Sequence, residues 1–100
     1  MIQGTTPIHR FTLQVDTSEL AEVRVVYGFN GSARFIKETG DCILEGNTIT
    51  VPLTQGETYK FRTDVPGQVQ LRAMTTDGRA MSTRIMTFTV EPSLDRGVIL

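Results

Sequence analysis

Apolar and polar residues alternate along this chain in short runs separated by turn-forming residues, and no window sustains the spacing of an amphipathic helix. In "IHRFTLQV" Phe11, Leu13 and Val15 share one face and Arg10, Thr12 and Gln14 the other. "EVRVVYGF" puts Val23, Val25, Tyr27 and Phe29 on one side. The Asn30-Gly31 that follows tolerates the positive φ angles of a type I′ turn, so a hairpin into "SARFIKE" is predicted. "DCILE", the turn Gly46-Asn47 and "TITVPL" form the next pair, with Ile49, Val51 and Leu53 on one face. Pro52 cannot donate a ladder hydrogen bond, so this strand lies at a sheet edge or stops there. Thr54 and Glu57 have the spacing of a capping box and predict one helical turn at a corner. Two further strands, "QVQLRAMT" and "AMSTRIMTFTV", flank Asp77-Gly78. Seven or eight strands at roughly 8 to 12 residue spacing predict an all-β, antiparallel two-sheet sandwich.

A two-residue turn fixes register, so the final hairpin can be read to the side chain. With Asp77 and Gly78 at the tip, Met74 faces Met81 and Val69 faces Met86. Val69, Leu71, Ala73, Met86, Phe88 and Val90 then point to the core, while Met74, Met81, Thr83, Ile85 and Thr87 point outward. The outward Met74–Met81 pair is a candidate contact surface, although scattered apolar residues on an ordinary surface explain it equally well. After Glu91 comes "PSLDRGVIL". Pro92 stops the last strand near Glu91, which divides the chain into a sandwich over 1–91 and a C-terminal arm over 92–100. Burying Val98, Ile99 and Leu100 is worth roughly 1.5–3 kcal/mol per side chain. Either the arm folds back over its own sandwich or its apolar tip docks beyond Gly97 on a neighbouring subunit.

Composition narrows the chemistry further. One hundred residues suffice for one domain with one core, and the 39% hydrophobic fraction is ordinary for a globular chain. Ten Lys+Arg against eleven Asp+Glu leave a net charge of −1, so there is no basic field for nucleic acid. Arginine outnumbers lysine eight to two, a bias compatible with protein interfaces. The N-terminal "MIQGTTPIHRFTL" lacks the layout of a signal peptide, and no segment approaches the roughly 18 apolar residues of a membrane span. Cytoplasmic synthesis without membrane insertion is therefore expected. The single His9 reads as a strand or surface residue and the single Cys42, in "DCILEG", as a small core residue. Neither supplies a nucleophile–base pair or a converging metal set. The glycines fall at turns rather than in a phosphate-binding pattern, and with no Trp an aromatic platform for carbohydrate lacks its best residue. No enzyme activity, metal or cofactor is expected.

The order "HRFTLQVD", "VRVVYGFNG", "KETGDCILEGNTITVPLTQGET" and "VQLRAMTTDGRAMSTRIMTFTVEPSLDRGVI" resembles a family of small proteins encoded in tailed bacteriophages and prophages of Gram-positive bacteria. The likeness covers nearly the whole chain. It is most specific in the threonine-alternating segment running into "LTQGET" and in "QLRAMTTDG" with its acidic, aliphatic tail. It implies an immunoglobulin-like virion component with no catalytic residues, made in the host cytoplasm and released by lysis. A non-enzymatic structural protein of capsid, neck or tail, whose partners are itself or another virion protein, is the function so implied. The alternative is a host-surface or glycan recognition module working through the loops "GFNGSAR" and "TTDGRA". On the first reading the interface residues are Met74, Met81, Val98, Ile99 and Leu100.

Overall fold

A computed structural model covering residues 1–100 shows eight strands in two antiparallel sheets, with their apolar faces turned toward each other. The first sheet has the order β1-β5-β4, from β1 (Ile8–Thr12), β4 (Ile43–Glu45) and β5 (Thr48–Pro52). The second contains β2 (Leu20–Phe29), β3 (Ser32–Glu38) and β6 (Gly67–Thr75) in the order β3-β2-β6. The far edge of β6 is shared by two short strands, β7 (Ala80–Ser82) and β8 (Met86–Phe88). Helix is confined to two 3-10 turns, Thr17–Glu19 and Thr39–Asp41, and one α turn, α1 (Gln55–Thr58). No helix is long and apolar enough to cross a membrane.

Alternation places the core as expected. Val23, Val25, Tyr27 and Phe29 of β2, Ile49 and Val51 of β5 with Leu53 just after it, and Val69, Leu71 and Ala73 of β6 are all buried, with Val90. Phe29 and Ser32 close a two-residue loop in which Asn30 (φ 52°) and Gly31 (φ 72°) both take the left-handed conformation of a type I′ turn. At Gly46-Asn47 only Gly46 has positive φ (57°), as a type II′ turn requires. The capping box forms: the Glu57 N–H donates to Thr54 Oγ1 at 3.1 Å, and the Thr54 N–H donates to Glu57 Oε1 at 2.8 Å.

Three sequence expectations change in three dimensions. Pro52 does end β5, but β5 is the central strand of its sheet. The Leu53 N–H donates to the Pro7 carbonyl on the β1 side, so by alternation the Pro52 nitrogen points to the β4 side. That position lies past the last β4 pair, Ile43↔Thr50, where no donor is needed. The strand "IHRFTLQV" stops at Thr12, although the Leu13 N–H still reaches the Asn47 carbonyl at 2.8 Å. There the Asp16 carboxylate caps the first 3-10 turn, accepting from the Ser18 N–H at 2.9 Å.

The third change concerns the final hairpin. Its loop is three residues, Thr76 to Gly78, because Gly78 alone is left-handed (φ 86°) while a type I′ turn would need positive φ at Asp77 as well. The Gly78 N–H donates to the Thr75 carbonyl at 3.0 Å and the Thr75 N–H to the Arg79 carbonyl at 2.8 Å. The register therefore slips by one: Met74 faces Ala80, and Met81 faces Ala73. The expected Met74–Met81 outward pair does not exist, and Met81 turns to the inner face. A break at Thr83–Ile85 then restores the expected register, with Val69 facing Met86. Across it the Thr83 side chain substitutes for ladder groups, its Oγ1 accepting from the Leu71 N–H at 3.1 Å.

A second irregularity sits beside Tyr27. Tyr27 pairs with Phe35 but Gly28 with Ala33, so Arg34 is an extra residue on β3. The bulge brings the Ser32 carbonyl against Gly28, where any Cβ would overlap it. Gly28→Ala should consequently lower the unfolding free energy by about 2–3 kcal/mol. Chemical denaturation would measure this, and an unchanged midpoint would contradict the bulge geometry.

Candidate interaction surface

The interior ties between the sheets come first, because they position the surface. Tyr27 is fully buried on β2, and its ring stacks on Phe35 with centroids 5.0 Å apart. It meets Phe61 and Phe88 edge-on at 6.1 and 6.4 Å. A buried phenol needs a hydrogen-bond partner. Tyr27 finds it across the sandwich, its hydroxyl 2.8 Å from His9 Nδ1 of β1, with the imidazole tautomer setting which of the two donates. His9 also packs against Phe88 at 5.5 Å. Burial, then the N-terminal ammonium, holds its pKa below the ordinary value. Burial, with the charge that Cys42 takes on once its thiol ionises at alkaline pH and that of Glu57 behind it, keeps the Tyr27 phenol protonated far above its usual range.

The second tie is ionic and was not visible in the sequence. Lys37 is only 8% exposed, and its Nζ donates to both oxygens of Glu57, at 2.8 and 3.0 Å. Burial alone would raise the Glu57 carboxyl. The hydrogen bonds from Lys37 and the Thr54 N–H outweigh it and hold the group below its ordinary pKa. One carboxylate thus caps α1 and anchors it to β3. In "SARFIKE" alternation allows either Arg34 and Ile36 or Phe35 and Lys37 to face inward, and only the pairing of Phe35 with Tyr27 decides the matter.

α1 in turn holds the arm. Up to Glu91 the chain is paired with the N-terminus: the Glu91 N–H donates to the Met1 carbonyl and the Gln3 N–H to the Glu91 carbonyl, at 2.8 and 2.9 Å. From Pro92 onward it leaves the sheets and lies along α1. There the Gln55 carboxamide makes two 2.8 Å hydrogen bonds with Ile99, donating to its carbonyl and accepting from its N–H. The Tyr59 hydroxyl donates to the Asp95 carbonyl at 2.8 Å, with the Gly97 carbonyl at 3.2 Å also within reach. The arm therefore lies against its own domain, with hydrogen bonds to its backbone groups and Val98 half covered. Val98, Ile99 and Leu100 remain 50%, 73% and 114% exposed.

Of the five residues expected at an interface, these three form one exposed aliphatic group, and the two methionines do not join it. Met74 and Met81 are each 40% exposed on opposite faces of β6–β7. Met74 lies beside Arg24, Arg72 and Ala80 on the outer face, whereas Met81 lies near Leu13, Leu20 and Leu71. Cys42 is half-buried against the core. Burial and Asp41 raise its thiol pKa against the opposing pull of Lys37, so it stays protonated. No three His, Cys, Asp or Glu side chains converge as metal ligands would. A surface concavity of about 490 Å³ lies under the "TTDGRA" loop between Glu19, Thr76, Asp77 and Arg79. Comparison with known family models, curated proteins and solved structures finds no match to this chain.

Two outcomes follow from the interior ties. Lys37→Met strands a mostly buried carboxylate and should cost about 2–4 kcal/mol, more than Lys37→Met with Glu57→Gln, in which no unpaired charge remains. Denaturation midpoints of the parent, the two single variants and the double variant measure this, and additivity of the two substitutions would contradict the coupling. For His9, the unfolded chain takes up its proton near the ordinary value of 6.5, the folded chain only at lower pH. The stability His9 confers is thus complete above about pH 6.5 and is lost as pH falls through the window below it. Urea midpoints between pH 5 and 7.5 should show this slope, and His9→Asn should flatten it.

Proposed function

We propose that this protein is a non-enzymatic virion structural component of a tailed bacteriophage, an immunoglobulin-like sandwich that acts through contacts with copies of itself or another virion protein. The observation that carries the reading is the aliphatic tip Val98, Ile99 and Leu100, half to fully exposed on an arm hydrogen-bonded to α1 and Tyr59 through its backbone. Exposed apolar groups of this kind mark surfaces that gain by being covered, and here they sit on a segment outside both sheets. The sequence resemblance supports the same reading, and supplies the virion as the place where capsid, neck or tail neighbours would cover the arm.

Co-purification of the protein with intact particles tests the placement. Ile99→Asp together with Leu100→Asp should leave the melting temperature nearly unchanged, because these two side chains are the most exposed at the tip of the arm. Binding to particles should weaken by at least about a hundredfold, the lower end of what two aliphatic side chains no longer buried are worth. Undiminished binding would overturn the arm's role.

One observation favours the glycan reading. The concavity under "TTDGRA" is lined by Glu19, Asp77, Arg79 and threonines, a set that offers hydrogen bonds to hydroxyl-rich ligands. Binding of the isolated chain to host cells, lost on Asp77→Ala with Arg79→Ala, would select that reading instead.

A further inference from the structure

The two sheets do not cover one another. β1 lies over β2 and β8, since His9 reaches both Tyr27 and Phe88, yet no strand follows β1 on its outer side. In β1 the odd residues bond β5, as Leu53 to Pro7 and Leu13 to Asn47 show. The N–H and C=O groups of Ile8, Arg10 and Thr12 therefore point to a free edge. Beside that edge the gap between the sheets opens into a hole of about 70 Å³ walled by Leu13, Leu20, Leu71, Ala73 and Met81. The register slip in the last hairpin is what turns Met81 into this wall. An apolar hole next to an unpaired strand edge is the site an extended aliphatic segment fits, with backbone groups on the edge and one branched side chain in the hole.

We propose that the occupant is the arm of a second copy of this chain, residues 94–100, added along β1 with an aliphatic side chain of Val98, Ile99 or Leu100 in the hole. The arm has the required chemistry: it carries the most exposed aliphatic residues in the protein, and Gln55 already grips Ile99 through the donor–acceptor pair a strand edge would offer. Its own hole is a poor destination. β8 runs away from the hole toward Glu91, because Met86 faces Val69 and Phe88 faces Gly67. Glu91 thus lies roughly 25 Å beyond Leu71 and Ala73, counting about 3.3 Å per strand residue. Residues 92–100 extend at most about 32 Å when fully straight, a margin of only about 7 Å, which the reversal of direction needed after Glu91 would use up. A second copy faces no such limit.

The inference rests on the structural-protein reading, and its test separates the two. Chains carrying Ile99→Cys and Met81→Cys are mixed and oxidised with copper–phenanthroline, with the unmodified chain, which retains Cys42, as background. Both substituted positions are exposed, so folding should be unaffected. Mixed disulfide dimers are expected in at least tenfold greater yield than with Met74→Cys, which lies on the other face of the sheet, and excess unmodified chain should suppress them. Equal yields from Met74→Cys and Met81→Cys would overturn the site. So would cross-links that form within a single doubly substituted chain independently of concentration. In either case co-purification with particles would still decide the structural reading on its own.

Discussion

The buried Tyr27 ring is the constraint on which the arrangement of both sheets depends. It lies near the C-terminal end of β2 and touches Phe35 from β3, Phe61 from the segment after α1, Phe88 from β8 and His9 from β1. A ring of that size, without solvent exposure, fixes where each neighbour can stand. Its hydroxyl adds direction to packing, because a phenol buried without a partner costs more than one hydrogen bond returns. Only a polar atom at the His9 position meets that need, so the register of β1 over β2 is set by chemistry as well as by volume. The Gly28 bulge belongs to the same device: an extra residue on β3 next to Tyr27 separates the stacked Tyr27–Phe35 pair from the tight turn beyond it.

Around α1 the protein uses polar interactions where the aromatic group ends. Glu57 closes the capping box and receives Lys37, and the same turn carries Gln55 on its outer side, with Tyr59 one residue past it. On the other side Gln3 is buried, its Nε2 donating to the Phe61 carbonyl at 2.9 Å, and the Gly4 N–H donates to Thr58 Oγ1 at 2.8 Å. A four-residue helix has little stability of its own. It is held rigid here by an ion pair and by the N-terminal segment, and that rigidity makes Gln55 and Tyr59 a fixed clamp for a passing backbone.

The functional character of the molecule follows from what these ties leave undone. A three-stranded sheet facing a larger one must leave part of the inner surface uncovered, and the uncovered part lies next to an unpaired edge. Arg10 and Thr12 on that edge keep it polar on its solvent face, which restrains indiscriminate strand addition without blocking a segment of matched shape. The arm has the opposite imbalance, with its backbone partnered and its side chains bare. Both imbalances are of the kind that the proposed association would relieve.

Much of this was legible from the chain alone wherever a local rule has a single outcome. Period-two alternation placed Val23, Val25, Tyr27, Phe29, Ile49, Val51, Leu53, Val69 and Leu71 in the core, because a strand residue on a covered face has nowhere else to go. Asn30-Gly31 and the Thr54–Glu57 spacing located a hairpin and a helical turn for equally local reasons. Features requiring a choice between locally equivalent states were decided by tertiary structure. The Asp77-Gly78 loop admits two or three residues, and the choice moved Met81 from one face of the sheet to the other. Inward placement of Lys37 pays off only when Glu57 arrives from twenty residues away. His9 is an ordinary strand residue until Tyr27 lies across from it. Alternation and turn chemistry act over a few neighbours and survive in the sequence; register slips, ion pairs and cross-sheet hydrogen bonds are settled by which distant surfaces meet, and exist only once the two sheets have packed.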